Sequence, residues 1–443
     1  MSFTTPLSTL ISENFNGLLG QPPHWHRAAL GDIATITNGV PLPSTGFNPS
    51  KGAPVVRIRN VVEGSTETFF DGPVEEGWFI APGDLLVGMD GDFNLARWRG
   101  PRALLNQRVC HIAPKDERVS IQYLSYVLPG YLTAVNKHTP SITVKHLSSK
   151  TVAELPIPVP PLGEQAALVA AIDAHFSRLD ATVASLTRAK ANLKLARASV
   201  LKAAVEGRLV PTEAELAQAD MKLYEPASVL LERILVERKA KWESSGKKRK
   251  YKEPVAPETE GLPELPEGWV WATPNQAFAW SSGEFLPKKS HSGGKIPVYG
   301  GNGTNGLHSV SNSKEPTIVI GRVGAHCGNI SVTSGEAWIT DNAIYSCVTP
   351  ASVLLLYWHF ALSALNINSK AAGSGQPYVN QSLLGSLLIR LPPLAEQRRI
   401  VDEVERRLSI LSTTETQLEA SVAHCDLLRQ SILKQAFEGK LVK

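Results

Sequence analysis

The chain of 443 residues is poor in the residues that most simple functional classes require. It holds four cysteines, Cys110, Cys327, Cys347 and Cys425, and none stands in a C-x-x-C pair. That excludes zinc ribbons and dithiol redox motifs, and at this length a disulfide scaffold is not expected. Charge of one sign is also missing. Lys and Arg total 45 against 41 for Asp and Glu, a net charge of +4, which neither demands nor excludes a nucleic-acid partner. There is no long apolar run. The longest, VLLLYWHFALSAL at 353–365, contains His359 and falls short of the roughly 20 residues a membrane span needs. The first residues, MSFTTPLSTLISENFNG, lack the basic and apolar regions of a signal peptide. A soluble, cytoplasmic protein without membrane contact is expected. No Walker A sequence, H-E-x-x-H, G-x-S-x-G or strand-borne G-x-G-x-x-G is present. The Asn/Asp-Pro-Pro-aromatic signature of amino-methyltransferases is missing, as is a nuclease-like carboxylate pair followed by Glu-x-Lys. Without a catalytic constellation, a chain of this size reads as a binding or scaffold protein.

What is present is a repeat. Residues 160–210 and 392–442 align without a gap at an offset of 232, with 21 of 51 positions identical. Upstream, Pro22-x-x-Trp25 recurs as Pro266-x-x-Trp269, and Gly39 and Gly283 each follow fourteen residues after the tryptophan. Pro6-Leu-Ser-Thr-Leu10-Ile echoes Pro226-Ala-Ser-Val-Leu230-Leu, so the N-terminal segment is expected to complete the second half and make the repeat circular. The domain layout that follows is a short segment at 1–21, a variable block at 22–155 and a central repeat at 156–265. A second variable block at 266–390 and a C-terminal repeat at 391–443 follow.

Each repeat opens on Pro-Pro-Leu-x-Glu-Gln, with prolines ahead of a helix start and an early glutamate suited to the positive end of the helix dipole. Each closes on Glu-Gly-(Arg/Lys)-Leu-Val, a glycine stop at Gly207 and Gly439. Between them apolar residues step by seven: Ile172, Leu179, Leu186, Leu193 and Val200, then Val404, Leu411, Leu418, Cys425 and Ile432. Seven-residue spacing is a coiled-coil seam. It predicts long helices over about 164–206 and 396–438, packed on each other as an antiparallel rod with one variable domain at each end. Arg197 and Arg429 hold matching places in a companion row and are read as register-setting.

In the first variable block, PVVRIRNVV at 54–62 alternates as a strand, with Val56 and Ile58 on one face and Arg57 and Arg59 on the other. DLLVGMDGDF at 84–93 reads as a buried strand running into a turn. Asp90 and Asp92 there are either turn residues or metal ligands, and the turn is the commoner role. In the second block, TIVIGRVGAH at 317–326 follows the same plan. YGGNGTNG at 299–306 lacks the G-K-[ST] of a phosphate-binding loop; it is either a flexible turn or a loop that contacts a nucleic acid. The Cys-His neighbours at 110–111, 326–327 and 424–425 lack zinc-site spacing, and no metal is expected. The basic run KKRKYK at 247–252 lies in a linker, where it is solvated or touches a phosphate backbone.

The duplicated PPLGEQ and PPLAEQ openings, the EGRLV and EGKLV closings, and the phrases GMDGDFN at 88–94, LLNQRV at 104–109 and LPEGW at 265–269 resemble the DNA specificity subunit of type I restriction-modification systems over nearly the whole chain. The resemblance implies an α/β (α+β) architecture: two globular target-recognition domains, separated by two long antiparallel coiled-coil helices, in a pseudo-twofold internal repeat. It implies a non-catalytic subunit of a defence system against foreign DNA. Each domain would read one half of a bipartite, asymmetric site on double-stranded DNA, and the helices would fix the gap. The partners implied are two methyltransferase (modification) subunits and, in some systems, restriction (motor-nuclease) subunits. S-adenosylmethionine, ATP and Mg would sit on those partners, with no cofactor in this chain. The competing reading is a coiled-coil scaffold joining two protein-binding domains. No family motif transfers base contacts, so candidates come from chemistry: Arg57, Arg59, Arg97, Lys145 and Arg322 for phosphates or guanine. Asn302, Thr304 and Asn305, with Gln376 and Asn380, are candidates for adenine edges or phosphates.

Overall fold

Proline sets where the two long helices begin. In the computed structural model, which describes residues 5–140, 144–245, 250–371 and 377–442, they run Leu162–Val205 and Leu394–Phe437, each directly after a Pro-Pro pair. Both have 44 residues, about 66 Å of helix at 1.5 Å per residue. Glycine ends both. Gly207 and Gly439 take φ of 69° and 68°, and the next amide reaches back five residues: Arg208 N–H to Ala203 O at 2.9 Å, Lys440 N–H to Gln435 O at 2.8 Å. This is the left-handed stop that the Glu-Gly pair predicts. Among the described residues no helix is long and apolar enough to cross a membrane.

The chain divides into two compact units, residues 1–187 with 419–443 and residues 188–418. Each therefore holds one variable block, the near part of one long helix and the far part of the other. In the first unit Ile172 is buried in the core, with Val169, Phe176, Ile432 and Leu433 packed around it. In the second, Val404 is buried, with Val200, Leu201 and Leu408 against the same core. The start of one long helix thus lies on the end of the other in both units, an antiparallel arrangement. Along the predicted seam, Ile172, Val404 and Cys425 are buried, while Leu179, Leu186, Leu193, Val200, Leu411, Leu418 and Ile432 are half-buried. A two-helix seam away from the domains has only one neighbour to cover it.

The polar rungs are matched. Arg197 donates from Nη2 to Glu415 Oε2 at 2.9 Å and to Ser412 Oγ at 3.1 Å. Arg429 pairs with Asp180, the counterpart of Ser412 at the repeat offset, and lies over the Phe176 ring at 5.2 Å.

Each unit carries a four-stranded antiparallel sheet of the same order. The first has an antiparallel sheet in the order Ala34–Asn38, Val109–Pro114, Leu85–Gly88, Leu95–Arg97. The second has Ala279–Ser282, Ala343–Val348, Ile318–Gly321, Ile330–Val332 in the same order. Beside each runs a second sheet with one parallel pair, five-stranded in the first unit and three-stranded in the second: Ala53–Val56 with Ala103–Leu105, and Ile296–Gly300 with Trp338–Ile339. A two-strand ribbon joins each domain to its helix, His26–Ala29 with Pro156–Val159 and Val270–Ala272 with Ile389–Leu391. The helices Leu7–Glu13 and Ala227–Ser244, of 7 and 18 residues, both follow a proline, and they bury Leu10 in the first core and Leu230 in the second.

One expected strand is wrong. PVVRIRNVV is a strand only over Ala53–Val56; Ile58–Glu63 is helical, so Ile58, Arg57 and Arg59 do not alternate on strand faces. The Asn60 side chain accepts the Arg57 N–H at 3.0 Å and starts the turn, and Gly64 at φ 70° ends it. A side-chain cap outcompetes β propensity in so short a segment.

Candidate nucleic-acid interface

The Pro-Pro-Leu-x-Glu-Gln motif anchors each domain to its helix. Trp25 Nε1 donates to Glu164 Oε1 at 3.0 Å, and Trp269 Nε1 to Glu396 Oε1 at 3.1 Å. Gln165 and Gln397 each fold back and donate to the carbonyl of the first proline, Pro160 or Pro392, at 2.9 Å. The early glutamate thus does more than face a helix dipole: it holds the tryptophan of the Pro-x-x-Trp motif. The two clamps differ in burial. Glu396 is 0% exposed and also accepts the Glu213 N–H at 2.9 Å; burial pushes its carboxyl above the ordinary value, against the pull of both donors and of Arg399. Glu164 is open enough to meet His24 at 3.3 Å.

At one end of each domain, several turns cross and lock together. Eight backbone hydrogen bonds in the first domain have one-to-one counterparts in the second. Around the first glycine, Gly39 N–H bonds Val109 O, Val40 N–H bonds Leu105 O and Gln107 N–H bonds Val40 O. Their counterparts are Gly283 to Ala343, Glu284 to Ile339 and Asp341 to Glu284. Asn106 N–H to Val56 O and Val109 N–H to Asn106 O match Thr340 to Tyr299 and Ala343 to Thr340. Met89 to Arg108, Leu147 to Met89 and Gly91 to Lys145 match Arg322 to Asn342, Val379 to Arg322 and Gly324 to Pro377. Isolated bridges repeat as well: Asp90 with His146, Val323 with Tyr378. Gly39 and Gly283 are required by the crossing, because a Cβ on either would overlap the Asn106 or Thr340 carbonyl oxygen.

This frame places the sequence candidates. In the first domain Arg57 and Arg59 leave the strand at its rim; Arg57 lies over the Phe47 ring at 4.4 Å and Arg59 is exposed. Past the matched pair Val56 and Tyr299 the two rims part: Arg59 lies in the helix Ile58–Glu63, whereas Asn302 lies in the turn ahead of the strand Gly303–His308. Asn302 and Arg322 are both exposed at the second rim, and Asn302 accepts from Asn329 Nδ2 at 3.4 Å. Asn380 is there too, but its side chain is spent capping the helix Gln381–Gly385, taking the Leu383 N–H at 2.8 Å. Lys145 is likewise spent: its Nζ donates to Asn136 O at 2.6 Å and Asn136 Oδ1 at 3.0 Å, closing the helix Ile121–His138. Thr304 and Asn305 lie exposed on the strand Gly303–His308, so the glycine-rich segment is a hairpin with a two-residue turn at 301–302. Arg97 sits at the far end of its strand from the rim and donates to Gly83 O at 3.2 Å. Gln376 and residues 247–249 of the basic run lie outside the described residues.

Sequence reasoning missed several residues of the frame. The Asp90 carboxylate does more than shape a turn: Oδ1 meets His146 Nδ1 at 2.6 Å and Oδ2 meets Arg108 Nε at 3.5 Å. Gln107, Arg108 and His146 are exposed in the first rim, Asn342 and Tyr378 in the second. One signal was present. His146 and Tyr378, like Ser148 and Asn380, are separated by 232, the offset of the helical repeats.

A protein-family profile, the type I restriction modification DNA specificity domain, matches residues 22–192 and again 266–423. The chain belongs to this family. The type I restriction enzyme EcoBI specificity subunit of Escherichia coli is 32% identical over 472 residues, covering 100% of this chain and 91% of that protein. The StySPI specificity subunit of Salmonella potsdam is 22% identical over 95% of this chain and 90% of its own. The fold recurs in a chain from a structural study of type I R-M complex assembly and conformational transition, at TM-score 0.65 and 19% identity over 95% and 99% of the two chains. It also recurs in the HsdS subunit of Thermoanaerobacter tengcongensis, at TM-score 0.51 and 18% identity over 95% and 98%. The chain is therefore a specificity subunit, the DNA-recognition component of a type I system and not its catalyst.

Proposed function

We propose that the domains at 22–155 and 266–390 each read one half of a bipartite, asymmetric site on double-stranded DNA, and that the paired long helices set the gap between the halves. The observation that carries this is the duplicated frame: one backbone arrangement, held to its helix by the same Trp–Glu clamp, presented twice with different exposed side chains. The segment at 1–21 then completes the second half of a circular repeat, as 227–244 completes the first. The long helices also dock two methyltransferase subunits, which bring the S-adenosylmethionine site; ATP and Mg belong to restriction subunits where these join. Exposed apolar residues outside the seam support docking: Leu195 is 70% exposed and Leu427 62%.

The test is a domain exchange. The chain is purified with its methyltransferase subunits, with residues 266–390 replaced by those of a relative. Binding to a random-sequence duplex library should show one half-site changed and the other half-site and gap kept. A change in both halves, or a complex without sequence-selective binding, refutes the proposal; the second outcome would return the protein-binding scaffold.

A further inference from the structure

We infer that the two matched frames are the base-reading surfaces and that they select different bases: Arg59 and Arg108 contact guanine in one half-site, Asn302 and Asn342 contact adenine in the other. This rests on the half-site reading above and deepens it.

The clamp residues are the same in both halves, Trp25 and Trp269, Glu164 and Glu396, Gln165 and Gln397. The frames repeat just as closely in their backbone, yet the exposed side chains they carry do not. Arg108 stands where Asn342 stands, and His146 where Tyr378 stands. Arg59 and Asn302 each lie three residues past the matched pair Val56 and Tyr299, on a helix in the first rim and in a hairpin turn in the second. A shared task keeps a side chain, whereas a task that differs between halves exchanges it on an unchanged support. The exchange at Arg108 and Asn342 runs from guanidinium to amide, and the exposed rim residues Arg59 and Asn302 carry the same two chemistries in their respective domains. The guanidinium fork matches guanine O6 and N7, and the amide matches adenine N6 and N7.

The free groups fit those roles. Arg59 and Asn342 are exposed and make no side-chain hydrogen bond among the described residues. Arg108 meets Asp90 through Nε at 3.5 Å, which leaves its two terminal nitrogens as the fork. Asp90 also holds His146, so it acts as a positioning residue for both. Asn302 and Asn342 carry no charge, so the counterion-driven part of sequence-independent binding gains nothing from them.

The experiment uses the chain with its methyltransferase subunits and reads the methylated motif across host DNA. With the wild-type chain, a split motif is expected. Arg59→Ala and Arg108→Ala should relax a guanine in one half by about tenfold or more and leave the other half intact. Asn302→Ala and Asn342→Ala should relax an adenine in the other half only. Arg108→Lys keeps the charge without the fork; it should relax the same guanine while DNA affinity is retained. Unchanged motifs in the four alanine variants, with the wild-type motif split, overturn this inference and leave the half-site reading standing. Relaxation of both halves by one variant overturns it too, because the frame would then serve assembly. A wild-type complex with no split motif refutes the reading beneath it. Amide exchange over 84–92 and 317–324 separates a misfolded variant from one that has lost a base contact.

Discussion

Replacing Glu396 by alanine should cost far more than replacing its counterpart Glu164, although the two occupy the same motif position. Glu396 is fully buried and accepts two donors, Trp269 Nε1 at 3.1 Å and Glu213 N–H at 2.9 Å. Removing it strands both in a site that water does not reach. A stranded buried donor costs about 1–3 kcal/mol, and relief of the carboxylate's own desolvation returns part, so a net loss of about 2–4 kcal/mol is expected. Glu164 has one buried donor, Trp25 Nε1 at 3.0 Å, and a carboxylate 30% exposed, where water can replace it. About 0.5–1.5 kcal/mol is expected there. The chain has two units, so a single melt would blur them. Amide exchange at 22–29 and at 266–272 reads each clamp in its own unit. A cycle with Trp269→Phe isolates the bond: the pair Trp269→Phe and Glu396→Ala should couple by about 1–2 kcal/mol. Equal losses at the two sites, or strict additivity in the cycle, would refute the reasoning.

The pH dependence of that unit follows from the same residue. Burial raises the Glu396 carboxyl above its ordinary 4.5, so the folded form holds the proton more tightly than the unfolded form. Stability is then full below about 4.5 and falls as pH rises through the raised value, and Glu396→Gln should flatten that slope; a stability that rises across this window on account of Glu396 contradicts the assignment. Gly39→Ala or Gly283→Ala places a Cβ on the Asn106 or Thr340 carbonyl. Each should cost about 1–3 kcal/mol and weaken the reading of one half-site only, measured by local amide exchange and half-site selectivity. Seven residues inserted after Thr187 and seven after Leu418 preserve the seam register and add about 10 Å to the helix pair. The gap between half-sites should widen by about three base pairs at 3.4 Å each, and an unchanged gap would dissociate the helices from spacing.

The parts of the fold written locally in the chain were legible. Seven-residue spacing from Ile172 to Val200 and from Val404 to Ile432 gave both long helices, and Pro-Pro and Glu-Gly gave their ends to within two residues. The strands before Met89 and Arg322 were legible too, as four-residue apolar runs into a glycine turn. What escaped depends on residues far apart. The partner of Glu396 lies 127 residues away in Trp269, and a Pro-Pro helix start gives no hint of it. The frame joins segments near 39, 57, 90, 107 and 146, and parallel pairing of Ala53–Val56 with Ala103–Leu105 has no local signature. Among the site candidates, those that fell at the rim did so because the segments that follow the strands there are exposed, as at Arg59, Asn302 and Arg322. Lys145 and Asn380 have the right chemistry for DNA but are bound to their own backbone, a choice the sequence does not display.

The central claim is that one chain reads two separate half-sites. The measurement that tests it most directly is sequencing of methylated bases in a host that expresses this chain with its methyltransferase subunits. The account predicts one motif made of two short, different sequences with an unread gap of constant length. A contiguous motif, or a gap that varies from site to site, would contradict it.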